Sequence, residues 1–138
     1  EVYKLKETYD TILSLGCGLG WLGNAEKSKE LLKNFYSITS NDALIIGEAE
    51  DPYKMNNVDY VGYMKLNKKR NRIYGQLKTR VRFKAYLGEW QDYLAFSKDE
   101  LQSLLENTGW TIKKIIKPNP TDQIDSPFYI AILRKSQR

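Results

Sequence analysis

Two short apolar runs, residues 11–15 (Thr11, Ile12, Leu13, Ser14, Leu15) and 43–47 (Ala43, Leu44, Ile45, Ile46, Gly47), bracket a stretch whose apolar residues recur at helical spacing. This arrangement limits the possible folds more than any other feature of the chain. Strands buried on both faces of a parallel sheet are continuously apolar, as both runs are. Between them Asn24 is placed to cap a helix through its side chain. Leu31, Leu32, Phe35 and Ile38 then share one helical face, with Lys27, Lys29, Glu30 and Lys33 opposite. Ser40, Asn41 and Asp42 read as a turn cluster that stops the helix and delivers the second run. The unit is β-α-β, which implies parallel strands and a right-handed crossover.

Asp51 and Pro52 end the second strand, because proline cannot donate to a ladder and restrains the residue before it. Residues 58–66 and 74–86 then alternate between apolar or aromatic and charged side chains, with Lys68, Lys69, Arg70 and Asn71 between them. This pattern predicts an antiparallel hairpin with one wet face, to which 90–96 adds a third strand unless Gly88 and Glu89 leave it as a loop. Ser97 followed by Glu100 is a capping-box pattern, Leu101, Leu104 and Leu105 give that helix a buried face, and Gly109 closes it. Residues 111–116 read as a strand, 118–127 as a loop and 128–133 as a last strand. The expected class is α/β: β-α-β, an antiparallel insert over about 52–93, then α-β-β. At 138 residues, the chain is sized for a single domain over 1–138.

Composition removes much catalytic chemistry. With no histidine and one cysteine, Cys17, the chain itself builds no Ser-His or Cys-His pair, no thiolate cluster and no internal disulfide. Carboxylates, tyrosines, positioning or a bound cofactor remain. The absence of a long apolar run argues against a membrane span, and with no apolar amino-terminal stretch the expectation is a cytoplasmic protein. The first residue is Glu1, so a processed or partial chain is also expected. The net charge of +5 is unevenly distributed: residues 60–88 contain no acid and nine Lys or Arg, interleaved with Tyr63, Tyr74, Phe83 and Tyr86. Such interleaving can track phosphates and stack on bases, which makes a nucleic-acid-binding hairpin over 60–88 the alternative function. The same residues also suit a solvated hairpin face whose lysines blunt an exposed edge.

The stretch from Phe96 and Ser97 through Glu100, Leu101, Leu104, Leu105, Gly109 and Trp110, with the closing run Tyr129, Ile130, Ala131, Ile132, Leu133 and Arg134, resembles the end of Rossmann-like S-adenosylmethionine-dependent methyltransferases. In that family a serine-capped helix leads into the sixth strand, and the seventh returns antiparallel. Tyr9, Asp10 and the run 11–15 look like the family's fourth strand, and Leu31 through Glu48 is similar to its following helix and fifth strand. A second alignment sets Gly16, Gly18 and Gly20 against the family's glycine-rich first motif. Ser14 then stands at the acidic position, Glu48 falls later than the roughly 20 residues expected to a ribose-binding acid, and little chain remains for the other strands. The fourth-strand alignment is favoured, and the chain resembles the carboxy-terminal half of a doubly wound methyltransferase sheet.

The resemblance implies S-adenosylmethionine as cofactor and an unidentified methyl acceptor as partner. It places Leu15, Gly16, Cys17 and Gly18 at the cofactor, at the carboxyl end of a central strand where open α/β sheets bind ligands. Glu48 or Asp51 is then the candidate catalytic base, and Trp21, Tyr63, Arg80, Arg82, Tyr86 and Trp90 are the candidate acceptor wall. The half-sheet alone is expected to bind the cofactor poorly. Its exposed sheet edge would allow a homodimer.

Overall fold

The structure of the protein, a computed structural model, describes residues 2–117 and 126–136. Strand β1 (Tyr9–Ser14) runs parallel to β2 (Thr39–Glu50), and helix α1 (Ala25–Ser37) crosses between them. Asn24 caps α1 by accepting from the Lys27 amide at 3.0 Å. The expected turn at Ser40, Asn41 and Asp42 is instead the first part of β2. The structure stops the helix earlier, with Thr39 Oγ1 donating to the Phe35 carbonyl at 2.6 Å. Because that hydroxyl takes up a terminal helix carbonyl, the polar residues are free to start the ladder.

Helix α3 (Lys98–Leu105) leads into β7 (Trp110–Ile116), and β8 (Phe128–Lys135) returns antiparallel between β7 and β2. The sheet order is β1-β2-β8-β7. The capping box is complete: Ser97 Oγ accepts from the Glu100 amide, and Glu100 Oε2 accepts from the Ser97 amide. Leu32 of α1, Leu101, Leu104 and Leu105 of α3, and Ile45 and Leu133 of the sheet form one buried cluster. Two aromatic residues tie it internally: Trp110 Nε1 donates to the Leu32 carbonyl at 2.9 Å, and Tyr129 Oη to the Phe96 carbonyl at 2.8 Å. Such bonds let large rings be buried without orphaning their polar atoms.

The sheet departs from the expectation of burial on both faces. Residues paired across strands share a face, so Leu13, Ile46 and Ile132 form an apolar row opposite the helices. No described helix covers that row, and Leu13 is 64% exposed. β1 also forms one side of the sheet, with its outer edge unpaired among the described residues.

The insert differs most. Residues 58–66 are not a strand: Val58–Lys69 is helix α2. Asn57 caps it through the Asp59 and Tyr60 amides, and Met64 and Asn67, three residues apart, form its buried side. Asn67 Nδ2 also donates to the carbonyls of Tyr74 and Gln76, locking the turn after the helix. Val58, Tyr60, Tyr63 and Leu66 remain exposed, so the apolar residues do not segregate to one face and the helical period is hidden. The expected 60–88 hairpin is therefore replaced by α2 and short strands. β3 (Gln76–Thr79) pairs with β6 (Gln91–Leu94), which realises the third strand expected at 90–96, and β4 (Arg82–Phe83) pairs with β5 (Tyr86–Leu87). The expected loop 118–127 lies outside the described residues except for Ser126 and Pro127.

Candidate functional site

The loop after β1 turns because two successive residues take left-handed backbone conformations, Gly16 at φ 64° and Cys17 at φ 56°. It then enters a short 3-10 turn, Gly18–Leu22. Close packing fixes its path: a Cβ on Gly18 would stand 2.5 Å from Ser14 Oγ, and Leu19 lies directly over Gly47 of β2. The Cys17 amide donates to Glu48 Oε2 at 3.1 Å. Glu48, at the carboxyl end of β2, thus orders the loop at the end of β1.

Two residues further along β2, on the same face by the period of a strand, lies Glu50. Tyr93 of β6 donates its hydroxyl to Glu50 Oε2 at 3.1 Å and packs edge-on against Trp21, with ring centroids 5.3 Å apart. These residues border a cavity of about 460 Å³. Its walls come from the β1 loop (Trp21), the end of β2 (Glu50), the segment Lys54, Met55, Asn56 and Asn57, Tyr60 of α2, Leu77 and Thr79 of β3, Tyr93, and Pro127. Burial raises the Glu50 carboxyl above its ordinary range; the Tyr93 hydrogen bond opposes this and the Glu48 charge adds to it. Burial and the Glu50 charge push the Tyr93 hydroxyl strongly upward, so it stays a donor. The Cys17 thiol is raised by burial and by the charges of Glu50 and Glu48.

The sequence candidates are dispersed around this geometry. Leu15, Gly16, Cys17 and Gly18 form the loop at the carboxyl end of β1, with Leu15 62% exposed. Trp21 lines the cavity. Glu48 holds the Cys17 amide, and Asp51 accepts from the Tyr53 amide at 3.0 Å as the cap of a short 3-10 turn, Pro52–Lys54. Neither is among the cavity's lining residues. Tyr63 is not among the cavity's lining residues but borders an adjoining depression that shares Asn57, Tyr60, Leu77 and Thr79 with it. The Arg80 guanidinium stacks 4.5 Å above the Trp90 ring, and Arg82 and Tyr86 stand exposed on β4 and β5. Glu50, Tyr60 and Tyr93 join the site although no sequence motif marks them. The strand period linking Glu48 to Glu50 is a signal for the first, whereas Tyr93 reaches Glu50 from a separate sheet.

No protein-family model and no curated protein matches the sequence. Solved structures do match. A SAM-dependent methyltransferase from Bacteroides fragilis, in complex with S-adenosyl-L-homocysteine, superposes with TM-score 0.73 at 20% identity over 99% of this chain and 52% of that protein. An S-adenosylmethionine-dependent methyltransferase from Clostridium acetobutylicum gives 0.62 at 10% identity over 99% of this chain and 63% of its own. A putative one from Listeria monocytogenes gives 0.62 at 14% identity, over 99% and 67%. The likeness establishes the fold: it is the Rossmann-like fold of class I S-adenosylmethionine-dependent methyltransferases. The chain spans about half the length of the Bacteroides protein. Its β1-β2-β8-β7 order puts the antiparallel β8 beside β2, and that antiparallel return is the one the resemblance implies for the last strand. Among the described residues no helix is long and apolar enough to cross a membrane.

Proposed function

We propose that the chain is the acceptor-side part of an S-adenosylmethionine-dependent methyltransferase, with 1–138 one domain, and that the cavity beside Glu50 receives the methyl acceptor. The observation that carries this reading is the position of the cavity. It opens at the carboxyl ends of two parallel strands, where open α/β sheets bind ligands, and elements of the insert form its other walls.

The described residues fit one wall of a donor site. Leu15 offers exposed apolar surface, and nothing lies within 4 Å of where a Gly16 Cβ would sit, so bare backbone is presented to a ligand. Cys17 and Gly18 continue that wall, and Glu48 keeps it in place through the Cys17 amide. The uncovered row of Leu13, Ile46 and Ile132 and the unpaired edge of β1 support a reading in which further structure completes the sheet. S-adenosylmethionine, when bound, supplies an electrophilic methyl group. Displacement at that methyl depends chiefly on alignment, so the task of this chain is to hold the acceptor in line and exclude water. Glu50, which borders the cavity, is better placed to meet the acceptor than Glu48 or Asp51.

The test is calorimetric titration of S-adenosylhomocysteine into the natural polypeptide that carries residues 1–138. Binding is expected, and Leu15→Asp, at an exposed position, should weaken it at least tenfold without changing the melting temperature. Absence of binding by the unsubstituted polypeptide, or indifference to L15D, overturns the reading.

A further inference from the structure

Resting on the reading of this cavity as the acceptor site, we propose that its ligand carries an ammonium group, held by the Glu50 carboxylate and the rings of Trp21, Tyr60 and Tyr93.

Carboxylate and rings together select a cation. Glu50 Oε2 accepts from Tyr93, while Oε1 makes no hydrogen bond among the described residues. A carboxylate has about four lone-pair positions, so hydrogen-bonding capacity remains on Glu50, which borders the cavity. Trp21, Tyr60 and Tyr93 add aromatic surface to the lining. The faces of such rings are negative and attract an ammonium ion, more strongly where water is excluded. Tyr93 holds Glu50 by donating to it and meets Trp21 edge-on at 5.3 Å, so anion and ring are pre-positioned relative to one another. Glu48 lies two residues away and adds negative potential. Lys54 also lines the cavity, so the ammonium belongs on the Glu50 side. A neutral alcohol would leave the carboxylate without a counter-charge, and a carboxylate ligand would face it directly. Leu77 and Met55 supply apolar lining for the rest of the molecule.

The probes are phenethylamine, phenethyl alcohol and phenylacetate, which share a ring and differ in charge. Each is titrated into the natural polypeptide at about pH 8, where a free amine is cationic and a carboxylate ionised. Phenethylamine is expected to bind at least tenfold more tightly than either of the others, and Glu50→Gln should abolish that preference by weakening the amine at least tenfold. Phenylacetate binding as well as the amine, an E50Q loss shared equally by amine and alcohol, or no binding of any probe overturns the proposal. S-adenosylhomocysteine is titrated into the same samples. Cofactor binding without amine preference rejects the ammonium assignment alone. Amine preference without cofactor binding supports the ligand chemistry and rejects the transferase reading.

Discussion

Gly20 is the position where one added methyl group should disturb the site most. A Cβ there would stand 2.8 Å from Tyr93 Oη and nearer still to Cε2 and Cζ of the same ring, whereas carbon atoms rest at about 3.5–4.0 Å. The ring must therefore retreat by roughly 1 Å or more. Tyr93 is not free to do so cheaply, because its hydroxyl holds Glu50 at 3.1 Å and its ring packs in a T-shaped contact with Trp21. Overpacking of this kind costs about 1–3 kcal/mol, and loss of a hydrogen bond to a charged acceptor costs about 1.5–3 kcal/mol more if Tyr93 swings away. Gly20→Ala is thus expected to destabilise by about 1–3 kcal/mol if the ring shifts with its hydrogen bond intact, and by about 2.5–6 kcal/mol if that bond is lost. Urea unfolding of the single variants and of G20A/Y93A measures it. Removing the ring removes the clash, so the double variant should be more stable than additivity predicts by about 1–3 kcal/mol. The glycine at position 62, with open space around its Cβ in the middle of α2, is the control: G62A should stabilise by about 0.5–1 kcal/mol. Additive G20A and Y93A effects, or a neutral G20A, would refute the close-packing argument.

Two further outcomes follow from hydrogen bonding and titration. Ser97→Ala removes one half of the capping box of α3 and should cost about 0.5–2 kcal/mol in urea unfolding; Ser97→Asp, which can still cap, should recover most of it. At alkaline pH the tyrosines dominate. Burial, Glu100 and its hydrogen bond push the Tyr53 hydroxyl to about 12, and burial also raises Tyr93 and Tyr129. Their folded values exceed their unfolded ones, so the stability they contribute is complete below about pH 10 and is lost as pH rises beyond it. Thermal midpoints should decline from that pH upward, and a decline just as steep in Y93F/Y129F would contradict the assignment.

Local rules were readable wherever burial and backbone chemistry pointed the same way. Asn24 and Ser97 announced their helices because a capping side chain acts on amides two or three residues away. The strands β2 and β8 were legible from continuous apolar runs. Helix α2 was not, because Val58, Tyr60, Tyr63 and Leu66 point to solvent and only Met64 and Asn67 are buried. Its cap at Asn57 was the available signal, and a pattern of alternating aromatics and charges obscured it. The same pattern points to one hairpin for the basic residues of 60–88, whereas the structure divides them among α2, β3, β4 and the connections between these elements.

The chain's own sequence determined the β-α-β unit, the capped third helix, the antiparallel return and the absence of imidazole chemistry, since each depends on neighbours in the chain or on composition. Tertiary structure alone decided which carboxylate faces the cavity. Glu48, Glu50 and Asp51 are adjacent acids at one strand end, and their separate environments come from the Cys17 amide, the Tyr93 hydroxyl and the Tyr53 amide. The first two partners are brought there by elements 31 and 43 residues away in sequence. A side chain's charge is written in the sequence, but its solvation and its partners are set by the fold.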